Sequence, residues 1–224
     1  MAQIDQKVLS VDDTNTQGQI WKIMVESGAL QDFGVLLNKF DQPQNPLSGS
    51  ISLILRLLVD FSHFIEPAKG NDWSISCFVE MNLITRIVIL LERICECMKS
   101  SAGRGQEDLL DMIDSSFTIL GNITASKSDD KKQQGLRRDL FKRDIFALGT
   151  NITEVLERLP TLDLELIKTV AWSFALMTYK IEWTKISLMD DGDAQDFISK
   201  IANFYLKIDQ VKISPEGRSD ILEI

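Results

Sequence analysis

The sequence is poor in the residues from which catalytic and metal sites are usually built. In 224 residues it holds one histidine, His63, and three cysteines. An odd number of cysteines argues against a disulfide framework. Cys95 and Cys97 form a lone CxC pair, whereas a zinc site needs four converging ligands, so we interpret them as structural thiols and expect no metal and no other cofactor. One histidine without a nucleophile motif does not make a catalytic group, and we expect no enzyme.

Long apolar runs and a leader segment are also absent. The most apolar segment, 83–91, is interrupted by Arg86 and is much shorter than the ~20 residues that a membrane helix needs. Residues 1–17 carry acids and no apolar run, which is typical of neither a secretory signal nor a transit peptide. We therefore expect a soluble protein of the cytoplasm or nucleus. A net charge of −9 disfavours nucleic acid and anionic membranes as partners and favours basic ones.

Two short patterns carry functional interpretations that we do not adopt. His63 lies near Asp60 and Glu66, a set typical of a general base, but its apolar helical context favours a satisfied histidine at a helix end. Asn122 and Asn151 each begin an Asn-Ile-Thr sequon. Because no signal peptide precedes them, we interpret both sequons as chance matches.

Helical periodicity is abundant, and it is clearest in segment 107–126, EDLLDMIDSSFTILGNITAS. Apolar residues recur there at helical spacing and lay a stripe along one side of a helix. A polar row with steps of four residues is rotated away from that stripe, so one side is for packing and the other can be offered to a partner. The stripe comprises Leu109, Ile113, Phe117, Leu120 and Ile123, and the polar row comprises Asp114, Thr118 and Asn122.

The same reading predicts helices along most of the chain and no strand. No stretch alternates apolar and polar residues for long enough, and Asn-Gly hairpin turns between apolar runs are missing. Many helices, several of them apolar all round, favour an all-α protein of stacked helical repeats over a four-helix bundle. The predicted helices are 20–40 with a break at Ser27-Gly28, 51–64, two segments within 73–98, 107–126, 136–159 with a bend near Gly149, 162–179 and 194–208; the predicted loops include 41–50 and the polar stretch 127–135.

Two of these helices resemble the third helix of an armadillo repeat, as found in the importin-α nuclear import adaptors. The segments are SSFTILGNITAS (115–126) and ELIKTVAWSFALM (165–177), and ESGALQDFGVLL (26–37) resembles the glycine-initiated second helix. The resemblance implies an armadillo-like solenoid of three to four repeats over 20–208, each about 40–47 residues long. Residues 1–19 then form a polar arm and 209–224 a C-terminal tail.

The resemblance also implies a peptide-binding ridge on the concave side. In that family a Trp and an Asn four positions later bind a basic peptide. The Asn amide hydrogen-bonds to the peptide backbone, and the Trp indoles flank the lysine side chains of the peptide. Asn122 matches that Asn, with Thr118 at the Trp position, and Trp172 matches the Trp, with Leu176 at the Asn position. No helix carries the complete pair.

The earlier third helix of the resemblance, at 57–67, keeps neither residue, since Leu57 and Phe61 occupy the two places. The family's basic N-terminal segment is missing too, because residues 1–19 contain a single lysine. These departures leave open a packing role for the matching residues of the other helices.

We therefore hold two hypotheses. In the first, the chain is an importin-α-like protein-binding module that takes a basic peptide, such as a nuclear localisation signal, on a ridge formed by Asp114, Thr118, Asn122 and Trp172. The alternative is a structural scaffold subunit of a larger assembly, in which Trp172 and Asn122 are packing and surface residues. The basic cluster within 131–143 is interpreted as a solvated face, with docking of an acidic partner as its alternative.

Overall fold

The computed structural model describes residues 13–39, 48–63, 72–100, 106–125, 145–158, 164–179, 195, 199 and 202–206. These ranges hold helices and turns and no strand, which confirms the all-α prediction for the described chain. None of the described helices is long and apolar enough to cross a membrane. The helices are α1 (Asp13–Glu26), α2 (Ala29–Leu37), α3 (Ser48–His63), α4 (Asp72–Glu80), α5 (Leu83–Ser100), α6 (Gln106–Ala125), α7 (Ile145–Leu156) and α8 (Leu164–Tyr179).

The first six helices form two triplets with the same internal order. In each triplet a two-residue turn separates the first two helices, and a longer third helix follows. The turn between α1 and α2 contains Gly28, whose φ is 81°, and the turn between α4 and α5 contains Asn82, whose φ is 55°. Glycine and asparagine are the residues that enter this left-handed region most readily. The break predicted at Ser27-Gly28 is confirmed.

The helices pack as two layers. α6 lies between α3 and α8, and its contacts with these two helices are the most extensive in the structure. α5 lies in the same way between α2 and α7, and it also packs on α6, which joins the layers. The third helix of each triplet therefore shares one layer with α8, and the second helix shares the other layer with α7.

The core runs between the two layers. The apolar stripe predicted on α6 is buried along its whole length, each member being at most 1% exposed. Further along the chain, Phe174 of α8 is the centre of an aromatic cluster, with ring centroids 5.6 Å from Phe117, 5.0 Å from Phe146 and 4.1 Å from Phe204. Aromatic pairs at these distances add stability beyond that of the buried area.

Gly149 lies inside α7, which continues through this residue without a break. The bend near Gly149 stays a prediction. A Cβ atom placed on Gly149 would lie 2.5 Å from the Phe174 ring. The glycine is needed because the ring packs directly on the α7 backbone.

Two predicted boundaries also differ. Residues 13–19, expected in a polar arm, belong to α1, and residues 48–50, expected in a loop, belong to α3. In α1 the buried Trp21 anchors the helix to the core. The predicted arm 1–12, the loop 127–135, the helix start 136–144 and the tail 209–224 lie outside the described residues, as does most of 194–208.

Candidate functional site

The polar row predicted on α6 lies where the periodicity put it. Asp114 is exposed, and Thr118 and Asn122 are half-buried, on the side of α6 opposite its core stripe. Because α6 is the central helix of its layer, this row runs between the exposed sides of α3 and α8. We refer to Asp114, Thr118, Asn122 and Trp172 together as the ridge.

Asn122 is held by the neighbouring helix α3. Its Nδ2 donates a hydrogen bond to Ser62 Oγ at 2.9 Å and lies 3.1 Å from Nε2 of His63. Ser62 Oγ in turn donates to the carbonyl oxygen of Val59 at 2.7 Å. The side chain of Asn122 is therefore oriented by two groups from α3 before any partner arrives.

The register inferred for α3 needs a correction at this point. The resemblance places Phe61 where the ridge asparagine would be, but Phe61 is fully buried between Trp21 and Phe78, with centroid distances of 4.8 and 5.5 Å. Ser62 and His63 are the residues of α3 that meet Asn122. Large apolar side chains take the core side of a helix, and the polar residues that follow turn outwards.

The Trp172 side chain of α8 packs on the α6 backbone at Gly121, the residue directly before Asn122. A Cβ atom on Gly121 would lie 3.0 Å from Cζ3 of Trp172 and 3.0 Å from Oγ of Ser173. Ser173 Oγ donates to the Phe117 carbonyl oxygen at 2.7 Å and ties α8 to α6. Trp172 as a whole residue is 36% exposed.

The ridge thus brings together two residues that only the resemblance assigns to different pairs. Asn122 comes from α6 and Trp172 from α8, and the indole packs on the residue directly before Asn122. A glycine inside the helical pattern, at Gly121, is the sequence signal for such a close approach. Sequence reasoning missed Ser62 and His63 as ridge neighbours because nothing in α3 marks them as partners of Asn122.

The two carboxylates on the polar side of α6 differ in whether they form an ion pair. Asp111, three residues before Asp114 on the polar side of α6, forms an ion pair with Arg56 of α3, and both side chains are exposed. Among the described residues Asp114 forms no ion pair. A basic ligand would therefore meet a free carboxylate at Asp114 and a neutralised one at Asp111.

The thiols are poor nucleophiles. Burial raises the pKa of the Cys77 thiol to about 11, and the Glu80 carboxylate adds to the rise. Burial also raises the pKa of Cys95. A thiol is reactive as its thiolate, so both side chains are suited to packing. In the described part of the chain, no group of three or more histidine, cysteine or acidic side chains is arranged to hold a metal ion.

Both sequon threonines are buried inside helices. Thr124 Oγ1 donates to the carbonyl oxygens of Leu120 and Gly121, and Thr153 Oγ1 donates to that of Gly149. Hydroxyl groups in such positions donate their hydrogen bonds to carbonyl oxygens of their own helix. Two residues before them, Asn122 and Asn151 are also helical.

The fold and the ridge define an all-helical protein with two helix layers and a polar, partly aromatic strip on one of them. Comparison of the chain with models of known protein families, with curated proteins and with solved structures finds no match.

Proposed function

We propose that this chain is a non-enzymatic, armadillo-type interaction module that binds a basic peptide segment along the ridge. The observation that carries the proposal is the placement of Trp172 against Gly121, directly beside Asn122. An exposed indole and an oriented amide on adjacent helices are the two groups that a peptide groove of this type requires. Each comes from a different helix, so the pair is formed across the α6–α8 contact.

A helical repeat is supported by the repeated triplet, which recurs after 59 residues, from Asp13 to Asp72, and is thus longer than the roughly 40–47 residues of an armadillo repeat. Two successive triplets share the same helix order and a left-handed residue in the same turn. Their third helices lie side by side with α8. Stacking of equivalent third helices into one layer is what a repeat solenoid produces.

The chemistry of the ridge favours a peptide rich in lysine or arginine, of the nuclear-localisation type. An indole face attracts an ammonium or guanidinium group, with about 0.5–2 kcal/mol per contact. Asp114, about two turns of α6 before Asn122, supplies a negative charge on the same helix. The net charge of the whole chain is −9, which steers basic ligands towards the protein. Thr118, one turn from Asn122 and half-buried, offers a further hydroxyl to the peptide backbone.

The test is a titration of the chain with a bipartite lysine-rich peptide at low and at moderate salt. The peptide carries a fluorophore and binding is followed by anisotropy, so the readout does not depend on the tryptophans. We expect a dissociation constant of about 1–10 μM that rises with salt. In Trp172→Ala we expect binding about 5- to 30-fold weaker, which corresponds to about 1–2 kcal/mol.

Tyr205→Ala is the matched control, since Tyr205 is also an exposed aromatic residue but contacts Phe204 and is not one of the four ridge residues. A peptide in which glutamine replaces every lysine controls for charge. Equal affinity for both peptides, or an equal loss in both variants, would contradict the proposal.

A second candidate is a structural subunit of a larger assembly. The first triplet exposes large apolar side chains on all three of its helices: Ile20 is 51%, Ile23 63% and Leu53 60% exposed, and Val35 of α2 is exposed as well. Terminal repeats need polar caps or a neighbour to cover such surface. In this alternative the chain associates through its first triplet and ignores basic peptides, which light scattering over a concentration series would reveal.

A further inference from the structure

The contact between His63 and Asn122 joins a titratable group to the amide that the proposed function uses. Asn122 Nδ2 lies within hydrogen-bonding distance of two groups of α3, Ser62 Oγ at 2.9 Å and His63 Nε2 at 3.1 Å. Both N–H bonds of the amide are then directed towards α3. Within the described chain no hydrogen bond reaches the amide oxygen Oδ1, which is the group left for a ligand.

This arrangement requires a particular form of the imidazole. An N–H of Asn122 can be donated to His63 Nε2 only if that nitrogen carries no proton, so the ring is neutral with its proton on Nδ1. Ser62 fits the same scheme, because its hydroxyl oxygen accepts from Asn122 while its proton is donated to the Val59 carbonyl oxygen at 2.7 Å. The two N–H groups of the Asn122 amide and the Ser62 hydroxyl then each have an acceptor.

Protonation of His63 removes the acceptor to which the Asn122 amide donates. The imidazolium carries N–H groups on both nitrogens, and two donors would face each other across 3.1 Å. Rotation of the Asn122 amide by half a turn resolves the conflict, because Oδ1 then accepts from the Nε2–H of His63. The Ser62 hydroxyl, which now faces the same Oδ1, turns its proton from the Val59 carbonyl oxygen to Oδ1. The amide nitrogen turns outwards in exchange, and the only species consumed is one proton from solvent.

We propose that His63 is a proton switch for the ridge: its protonation inverts the Asn122 amide, and the ridge loses its affinity for basic peptides as the pH falls. With neutral His63 the outward Oδ1 accepts hydrogen bonds from a peptide N–H or a lysine ammonium. With protonated His63 the outward group is a donor, and a positive charge has been added within 3.1 Å of it. Both changes act against a basic ligand. The effect on binding rests on the proposed function, whereas the amide inversion does not.

The charged surroundings of the pair come from several helices. Asp60 lies three residues before His63 and Arg56 lies seven residues before it, both on the same side of α3 as His63. Asp111 and Asp114 lie before Asn122 on the polar side of α6. α1 and α4 reach α3 at Phe61, which points about 200° away from His63 around the helix. The described charged side chains of α1, α2 and α4 are Lys22, Glu26, Asp32 and Glu80, and Lys39 lies in the turn after α2.

The inversion can be measured without any peptide. The chain contains one histidine, so its ring ¹⁵N resonances in the labelled full-length protein are assigned without ambiguity. We expect the Nδ1–H tautomer at high pH, and we expect the side-chain amide resonances of Asn122 to move with the same midpoint as the ring resonances. A neutral ring protonated on Nε2, or Asn122 amide resonances that do not move through the histidine titration, would overturn the inversion.

The binding consequence is measured with the labelled lysine-rich peptide at about pH 5.5 and 7.5, in the wild-type chain and in His63→Gln. Glutamine has no charge change in the range where histidine titrates. We expect the wild type to lose about 10-fold in affinity on acidification and His63→Gln to change less than about 2-fold. An equal loss in both proteins would overturn the switch. Absence of peptide binding at both pH values would overturn the proposed function, and the NMR titration would still decide the inversion.

Discussion

Single residues in this chain decide how closely helices approach one another. Gly121 allows the Trp172 indole to lie on the α6 backbone, and Gly149 allows the Phe174 ring to lie on the α7 backbone. Both glycines are buried in the middle of helices, where the intrinsic cost of glycine is about 1 kcal/mol relative to alanine. Packing of large rings on the bare backbone offsets this cost. Removal of the bare surface should therefore destabilise the fold despite the better helix propensity.

We expect Gly149→Ala to lower the free energy of unfolding by about 1–3 kcal/mol, because the new methyl group would lie 2.5 Å from the Phe174 ring. Urea unfolding followed by circular dichroism measures the change. Gly49→Ala in α3 is the matched control: no atom lies within 4 Å of its new Cβ, and the substitution should be neutral or stabilise by up to about 1 kcal/mol. Equal effects of the two substitutions would show that the contact at Gly149 is easily relieved.

Cys77 should make stability depend on pH in the alkaline range. Burial raises the pKa of its thiol from 9.0 to about 11 in the folded state, so the folded protein resists loss of this proton more than the unfolded chain does. The contribution is complete below about pH 9 and is lost as the pH rises towards 11. We expect the unfolding free energy of the wild type to fall more steeply over this interval than that of Cys77→Ala. Parallel profiles would contradict the assignment.

At the scale of the helix, α6 is the element on which the others depend. It contacts α3 on one side and α8 on the other, and it joins the two layers through α5. Its apolar stripe supplies the core, and its polar row supplies the middle of the ridge. Because one helix does both, its orientation in the core also sets the direction in which Asn122 and Asp114 point.

The turns between the first two helices of each triplet are the second feature at this scale. Gly28 has a φ of 81°, and a Cβ there would meet its nearest atom at an ordinary 3.4 Å, so only backbone strain opposes a side chain. We expect Gly28→Ala to destabilise the protein by about 1–2 kcal/mol. Gly28→Asn should cost clearly less, because asparagine tolerates this conformation and is the natural residue at the equivalent Asn82, where φ is 55°.

Thermal unfolding of the two Gly28 variants provides the measurement. If alanine and asparagine destabilise equally, the left-handed conformation is not what the turn requires, and the equivalence of the two triplets loses one of its supports.

At the scale of the whole molecule, a net charge of −9 is spread over a fold whose candidate site contains a cation of its own. Arg56 bridges to Asp111 across α3 and α6 and neutralises one end of the ridge. Exposed ion pairs contribute about 0–1 kcal/mol to stability, so the main effect of Arg56 is on the local potential, which under the proposed function is the potential that a basic peptide would meet.

We expect Arg56→Gln to strengthen binding of the lysine-rich peptide about 2- to 5-fold at low salt and to change stability by less than about 1 kcal/mol. Lys22→Gln is the matched control, since it removes the same charge from an exposed pair with Glu26 on α1. Anisotropy titrations of the two variants separate local from global charge. An equal gain in both variants would mean that only net charge matters.

Much of this fold was predictable from local patterns, because helix periodicity and turn chemistry act over a few residues. The stripe of α6 and the break at Gly28 are examples, and so is the absence of strands from the described ranges. The pairing of elements was not predictable in this way. That Asn122 meets His63, that Trp172 lies on Gly121 and that Phe61 turns into the core all depend on the register between helices far apart in the chain.

The sequence by itself determined which residues form helices and which side of each helix is apolar, since both follow from spacing along one segment. Only the tertiary structure decided how those helices are layered, that the Phe174 ring packs on Gly149, and that Trp172 of α8 packs on Gly121, the residue directly before Asn122. The physical reason is that contacts between helices depend on the shapes of both surfaces and on their relative shift, and neither is written in the pattern of a single helix.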